Sequence, residues 1–179
     1  MTRGSILVAG IGNIFLGDDA FGVEVVRRLA TRRLPEGVRV VDFGIRGFDL
    51  AYALLDGDEA AILIDATPRG GPPGTLYVIE PELDGLEEQG APEETVEAHT
   101  MDPVKVLRLV KAMGGQPKRV LVVGCEPATL DADENGQIGL SESVRAVVDE
   151  AVTLVESVIA DLLDGGGEAV QTVGGKALG

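Results

Sequence analysis

The stretch AGIGNIFLGDDAFG at residues 9–22 carries glycines at 10, 12 and 17 and then two adjacent acids, Asp18 and Asp19. Glycines after a strand are a common start to a phosphate-binding loop, because backbone N–H groups can then approach an anion closely. Neither standard phosphate pattern completes here. A G-x-G-x-x-G turn begun at Gly10 would need its third glycine where Phe15 stands. Gly12 and Gly17 have the spacing of a P-loop, but Asp18 and Asp19 replace its lysine and hydroxyl. Two carboxylates beside a triphosphate repel it strongly at low effective dielectric. The other reading is a loop that presents acid to a cation. A helix beginning here favours the ionised form of Asp19 and leaves it a hard oxygen ligand. Asn13 is placed to brace the turn through its side chain. The pair also reads as helix punctuation, with Asp18 as N-cap and Asp19 as a first-turn acid. On this stretch alone both readings stand.

Two more residues extend the cation reading. Asp65 closes the apolar run AAILIDA (60–66), and open α/β sheets bind their ligands at the carboxyl ends of strands. Asp42 closes the run VRVVDFG (38–44) and is expected nearby but further off. His99, the chain's one histidine, precedes the helix start Asp102-Pro103. Two carboxylates and an imidazole form a mixed set that suits a borderline divalent metal such as nickel or zinc. The set is incomplete and leaves positions open for water or substrate. No H-E-x-x-H spacing occurs, so standard zinc-protease logic does not apply. Each residue keeps a structural alternative: Asp65 as the cap of the next turn, His99 as a solvated loop residue. The one cysteine, Cys125, excludes an internal disulfide and a thiolate-cluster metal site. It is expected to pack at a strand end rather than to act as a nucleophile. Ser141 is expected to cap a helix.

These residues need a scaffold that brings positions far apart in sequence to one edge. Apolar, β-branched runs recur at 5–10, 38–44, 60–66, 75–80 and 119–125. Their near-continuous hydrophobicity indicates strands buried on both faces, hence a mainly parallel sheet covered by helices. Helical patterns separate most of them, at 18–33, 48–56, 102–113 and 141–163. The expected fold is three-layer α/β/α around a five-stranded, mainly parallel twisted sheet. The run at about 75–80 follows the previous strand too soon for a helical crossover, so it is expected to be an antiparallel edge strand. If strands 1 and 3 flank a switch point, the glycine loop and Asp65 meet in one crevice.

Residues 1–164 read as a single α/β domain, 81–100 as an acidic loop, and the Gly-rich 165–179 as a disordered tail. Lysine and arginine total 15 against 30 acids, a net charge of −15, which argues against nucleic acid or an anionic membrane surface as partner. An aromatic content of 3% without tryptophan leaves few stacking platforms for bases. No apolar stretch is long enough to span a membrane, and the N-terminus lacks a signal-peptide pattern. A cytoplasmic location is expected.

The motifs together resemble the hydrogenase maturation endopeptidases, over roughly residues 5–160. GIGNIFLGDDAFG resembles that family's opening signature of glycines, asparagine and an acidic pair. LIDATPRGGPPGTLYVIEP is similar to its D-A segment followed by P-G and a strand. EAHTMDPVKVL looks like its histidine before a helix, and VVGCEPATLDADENGQIGLSESV resembles its late segment. The chain departs from the family at DFGIRG (42–47), where members often carry D-G-G, and its second acid is Asp where some carry Glu. The resemblance implies a peptidase that trims the C-terminus of a nickel–iron hydrogenase large-subunit precursor after nickel insertion. It places the catalytic and metal-contacting roles on Asp19, Asp65 and His99, with nickel supplied by the substrate and none held at rest. Two other classes stay open: a non-proteolytic nickel or assembly chaperone, and a flavodoxin-like small-ligand module. The chaperone would bind the precursor without shortening it; the ligand module would tolerate Asp19→Asn.

Overall fold

A computed structural model describes residues 4–83, 102–131 and 139–165. It contains β1 (Ile6–Ile11), a 3-10 turn (Gly17–Ala20), α1 (Phe21–Leu29), β2 (Val38–Gly44), α2 (Gly47–Leu54), β3 (Ala60–Ala66) and β4 (Leu76–Ile79). Then come α3 (Pro103–Ala112), β5 (Val120–Cys125), α4 (Glu142–Arg145) and α5 (Val148–Leu163). The strands form one five-stranded sheet in the order β2-β1-β3-β5-β4. All pairs are parallel except β4 with β5, and β4 lies at an edge as its short connection required.

Every residue of β1, β3 and β5 is buried, which explains their unbroken hydrophobicity. Alternation along each strand divides the core in two. Ile6 and Val8 of β1 with Ile62 and Ile64 of β3 pack under α1 and α5. Leu7, Ala9 and Ile11 with Ala61 and Leu63 pack under α2 and α3. The three layers follow from that split. β2 departs from the expectation of burial on both faces: only Phe43 in it is buried, because β2 is the other edge of the sheet.

The stripe Phe21, Val25, Val26 and Leu29 is fully turned inward, as its spacing predicts. Gly22 lets α1 press onto the sheet, since a Cβ there would lie 2.1 Å from the Ile64 carbonyl oxygen. The helix is shorter than expected and stops at Leu29. The Thr31 hydroxyl donates to the Arg28 carbonyl, and the Thr31 and Arg32 N–H groups bond three residues back, tightening the last turn. The stretch 141–163 is two helices, broken at Ala146–Val147. Val144, Val148, Val152 and Val155 are all buried, so the apolar stripe continues through the break and hides it from periodicity. α3 begins as its sequence predicts, with the Asp102 carboxylate accepting from the Val104 N–H at 2.8 Å.

The strand order reverses between β1 and β3, because the first connection places β2 on one side of β1 and the second carries the chain back to place β3 on the other. That is the expected switch point, and the β1–α1 loop and Asp65 both lie at its carboxyl edge. Among the described residues, no helix is long and apolar enough to cross a membrane. The expected disordered tail, apart from Gly165, and most of the expected 81–100 loop lie outside the described residues.

Candidate active site

The loop after β1 is folded around Asp19. The Asn13 side chain accepts from the Phe15 N–H at 2.9 Å, the bracing role expected of it. The Asn13 N–H in turn donates to Asp19 Oδ2 at 2.8 Å. Gly12 has φ +142°, and a Cβ there would fall 1.7 Å from the Asp19 carbonyl oxygen. No other residue fits that approach. Gly12 thus serves close backbone packing beside an acid.

Asp65, at the carboxyl end of β3, is 5% exposed, and its Oδ1 is buried without a hydrogen-bond partner. Burial raises its pKa well above the usual carboxylate value, and the charges of Asp19 and Asp102 raise it further against the Ala66 N–H. Burial also raises the pKa of Asp19, only partly offset by the Asn13 N–H. This reverses the effect expected from a helix N-terminus. Asp19 begins no α-helical turn of its own; it lies in the 3-10 turn ahead of α1, where loss of water outweighs the one backbone donor it meets. Asp19 and Asp65 are therefore close enough to repel each other. His99, the third expected residue, lies outside the described residues. Among the described residues, no group of three or more His, Cys, Asp or Glu side chains gathers as a metal cluster.

Asp18 is not the cap expected of it. It is fully buried, and its carboxylate accepts from the N–H groups of Ala128 (2.8 Å), Thr129 (3.1 Å) and Ser141 (2.7 Å). The Ser141 hydroxyl also donates to it at 2.8 Å, so Ser141 serves Asp18 and leaves the N-terminus of α4 without a side-chain cap. Local spacing suggested two caps. The two side chains instead satisfy each other across the fold.

Glu126, just past β5, has no place in the sequence reading. It is 5% exposed and accepts from the Arg69 N–H (2.8 Å), the Gly70 N–H (3.1 Å) and the Tyr77 hydroxyl (2.8 Å). Burial pushes its pKa up, but these donors outweigh burial and hold it below the ordinary value. The signal that found Asp65, an acid closing an apolar strand, was equally present here.

Cys125 packs in the core as expected. Burial, with the charges of Asp18 and Glu126, pushes its thiol up to about 12, which removes it as a nucleophile at neutral pH. In the divergent DFGIRG segment, Phe43 is core, and the Arg46 guanidinium lies 5.9 Å from its ring centroid. Arg46 also donates to the Asp42 carbonyl at 2.5 Å and pairs with Asp49 at 3.3 Å, so it is tied to its own loop.

A hydrogenase maturation protease family model matches residues 23–158, a span that includes Asp65 and His99 and begins after Asp19. A putative hydrogenase maturation protease of Methanocaldococcus jannaschii is 32% identical over 157 residues, covering 87% of this chain and 96% of that protein. The hydrogenase 2 maturation protease of Escherichia coli is 31% identical over 166 residues, covering 92% and 94%. Among solved structures, the hydrogenase maturating endopeptidase HybD of Escherichia coli superposes with a TM-score of 0.69 at 28% identity, over 95% of this chain and 97% of that one. A hydrogenase 2 maturation peptidase from a Thaumarchaeota archaeon superposes with a TM-score of 0.65 at 33% identity, over 87% and 98%.

Proposed function

The chain belongs to the hydrogenase maturation protease family, and from that membership we propose that it removes the C-terminal extension of a nickel–iron hydrogenase large-subunit precursor after nickel insertion. Its class of activity, peptidase, comes with the family. The finer reading assigns substrate-borne nickel as the recognition element and gives Asp19, Asp65 and His99 the task of completing its coordination.

The observation that carries this reading is the orphaned, buried Oδ1 of Asp65 beside a second partly buried acid, Asp19. A buried polar atom without a partner costs free energy unless something outside the chain satisfies it. A divalent cation suits two hard carboxylate oxygens and cancels the repulsion that opposes their ionisation. His99 fits the same set by chain length. It stands three residues before Asp102, whose charge reaches Asp65, and three residues span at most about 11 Å. Bound nickel supplies positive charge that can polarise a carbonyl or acidify water. The chain's own part is to hold two acids at the sheet edge, where an arriving cation favours their ionised form. The precursor docks with its metal near the switch point, and the acids align the neighbouring peptide bond. No metal is held between substrates, and no side-chain nucleophile is required: Cys125 is buried as a thiol and Ser141 is bound to Asp18.

The test is the intact mass of the host's large-subunit precursor, nickel-loaded and nickel-free, after incubation with this protein. The expected result is loss of one defined C-terminal peptide from the nickel-loaded form only, abolished by Asp19→Asn, Asp65→Asn and His99→Ala. Firm binding with unchanged mass would replace protease by chaperone. Cleavage of the nickel-free form at the same rate would remove nickel as the recognition element.

A further inference from the structure

Asp18 is the one fully buried carboxylate among the described residues, and all four of its recorded donors come from far along the chain. Ala128 and Thr129 follow β5; Ser141 precedes α4. The Asp18 N–H adds a fifth link, donating to the Thr129 carbonyl at 2.9 Å. The next residue is Asp19, whose carboxylate accepts, among the described residues, only the Asn13 N–H. A bond to a charged acceptor is worth more than a neutral one. Four of them on a single side chain hold its backbone, and Asp19 shares that turn.

We propose that Asp18 is a positioning residue: by binding the backbone at Ala128–Thr129 and at Ser141, it fixes the turn that presents Asp19 to the substrate. The adjacent acids thus divide the work. Asp18 spends both its oxygens on the protein, and Asp19 keeps capacity for what lies outside it. This inference rests on the assignment of Asp19 to the substrate-facing site. Ser141 belongs to the same device, because its hydroxyl reaches the Asp18 oxygen that Ala128 and Thr129 also share.

Asp18→Asn keeps the shape but turns one acceptor into a donor facing N–H groups. It is expected to lower kcat for the nickel-loaded precursor about ten- to a hundredfold, the usual effect of losing a residue that orients a ligand, with KM unchanged. Ser141→Ala removes the hydroxyl alone and serves as the mild variant; it is expected to lower kcat about threefold to tenfold. The double variant is expected to be no slower than Asp18→Asn, because the hydroxyl acts through Asp18. Amide hydrogen exchange over residues 12–20 supplies a readout that needs no catalysis. It is expected to quicken in Asp18→Asn and, less, in Ser141→Ala, while the β3 amides keep their protection. Wild-type kcat in Asp18→Asn, a raised KM with kcat intact, or unchanged exchange over 12–20 would overturn the proposal. If the wild-type protein leaves the precursor uncut, the proteolytic reading falls, and the exchange result alone decides whether Asp18 holds the turn.

Discussion

Asp65 and Glu126 stand at the ends of neighbouring strands of one sheet, are equally buried at 5% exposure, and are both carboxylic acids. Yet burial raises the pKa of Asp65, whereas Glu126 is held low despite burial. The difference lies in what surrounds each carboxylate. Around Glu126, the 69–70 backbone and the Tyr77 hydroxyl point their donors inward. Around Asp65, the charges of two more acids are opposed by the Ala66 N–H alone, and its own Oδ1 is left without a partner. A buried charge that is fully hydrogen-bonded strengthens a fold; one left short is available to a ligand. The sheet edge therefore holds, side by side, an acid the fold satisfies and an acid it leaves short of donors.

Substitution is the sharpest way to break this contrast. Asp65→Asn is expected to reduce cleavage of the nickel-loaded precursor by about 10³-fold, read by intact mass over time, while the metal-free protein unfolds in urea no more easily than wild type. Glu126→Gln is expected to do the reverse. Cleavage stays within about tenfold of wild type, and stability at pH 7 falls by about 2 kcal/mol, because a charged acceptor of several bonds is lost. If Glu126→Gln abolishes cleavage with stability intact, the division of labour is wrong.

Titration sharpens the comparison further. Asp65 holds its proton more tightly folded than unfolded, so its effect on stability worsens as pH rises from the ordinary carboxylate value through its raised folded one. Glu126 holds its proton less tightly folded, so its stabilisation is present above the ordinary value and is lost as pH falls through the lowered one. Melting curves of metal-free protein from acid to neutral pH are expected to show Asp65→Asn gaining on wild type as pH rises, and Glu126→Gln losing. Parallel curves would mean that neither environment differs between the folded and unfolded chain. The smallest effect expected is that of Tyr77→Phe, which removes one donor from Glu126 and costs about 1 kcal/mol in urea unfolding.

Much of the scaffold could be read from local pattern. The strands at 38–44 and 60–66 stand at the expected residues, β4 is the antiparallel edge, and Asp102 caps α3. The break at 146–147 could not be read, because the buried valines keep helical spacing across it. The site was legible to a smaller degree. Asp19 was singled out by the acidic pair that follows the glycine loop and Asp65 by its place at the end of an apolar run, and the fold brings them together. Their roles, and that of His99, rest on the resemblance and on the experiment above. Glu126 offered the same signal as Asp65 and was passed over, and Asp18 and Ser141 were read as caps.

Sequence alone determined where chain segments alternate between strand and helix, which faces are apolar, and that acids stand at the sheet's carboxyl edge. Such properties are local, because side-chain periodicity reports only on a residue's near neighbours. Tertiary structure decided which acid is satisfied and which is left wanting. The donors that quench Glu126 come from 49, 56 and 57 residues away, and Ser141 reaches Asp18 across 123. Hydrogen-bond supply and loss of water are set by whatever the fold packs around a carboxylate, and no spacing along the chain encodes that.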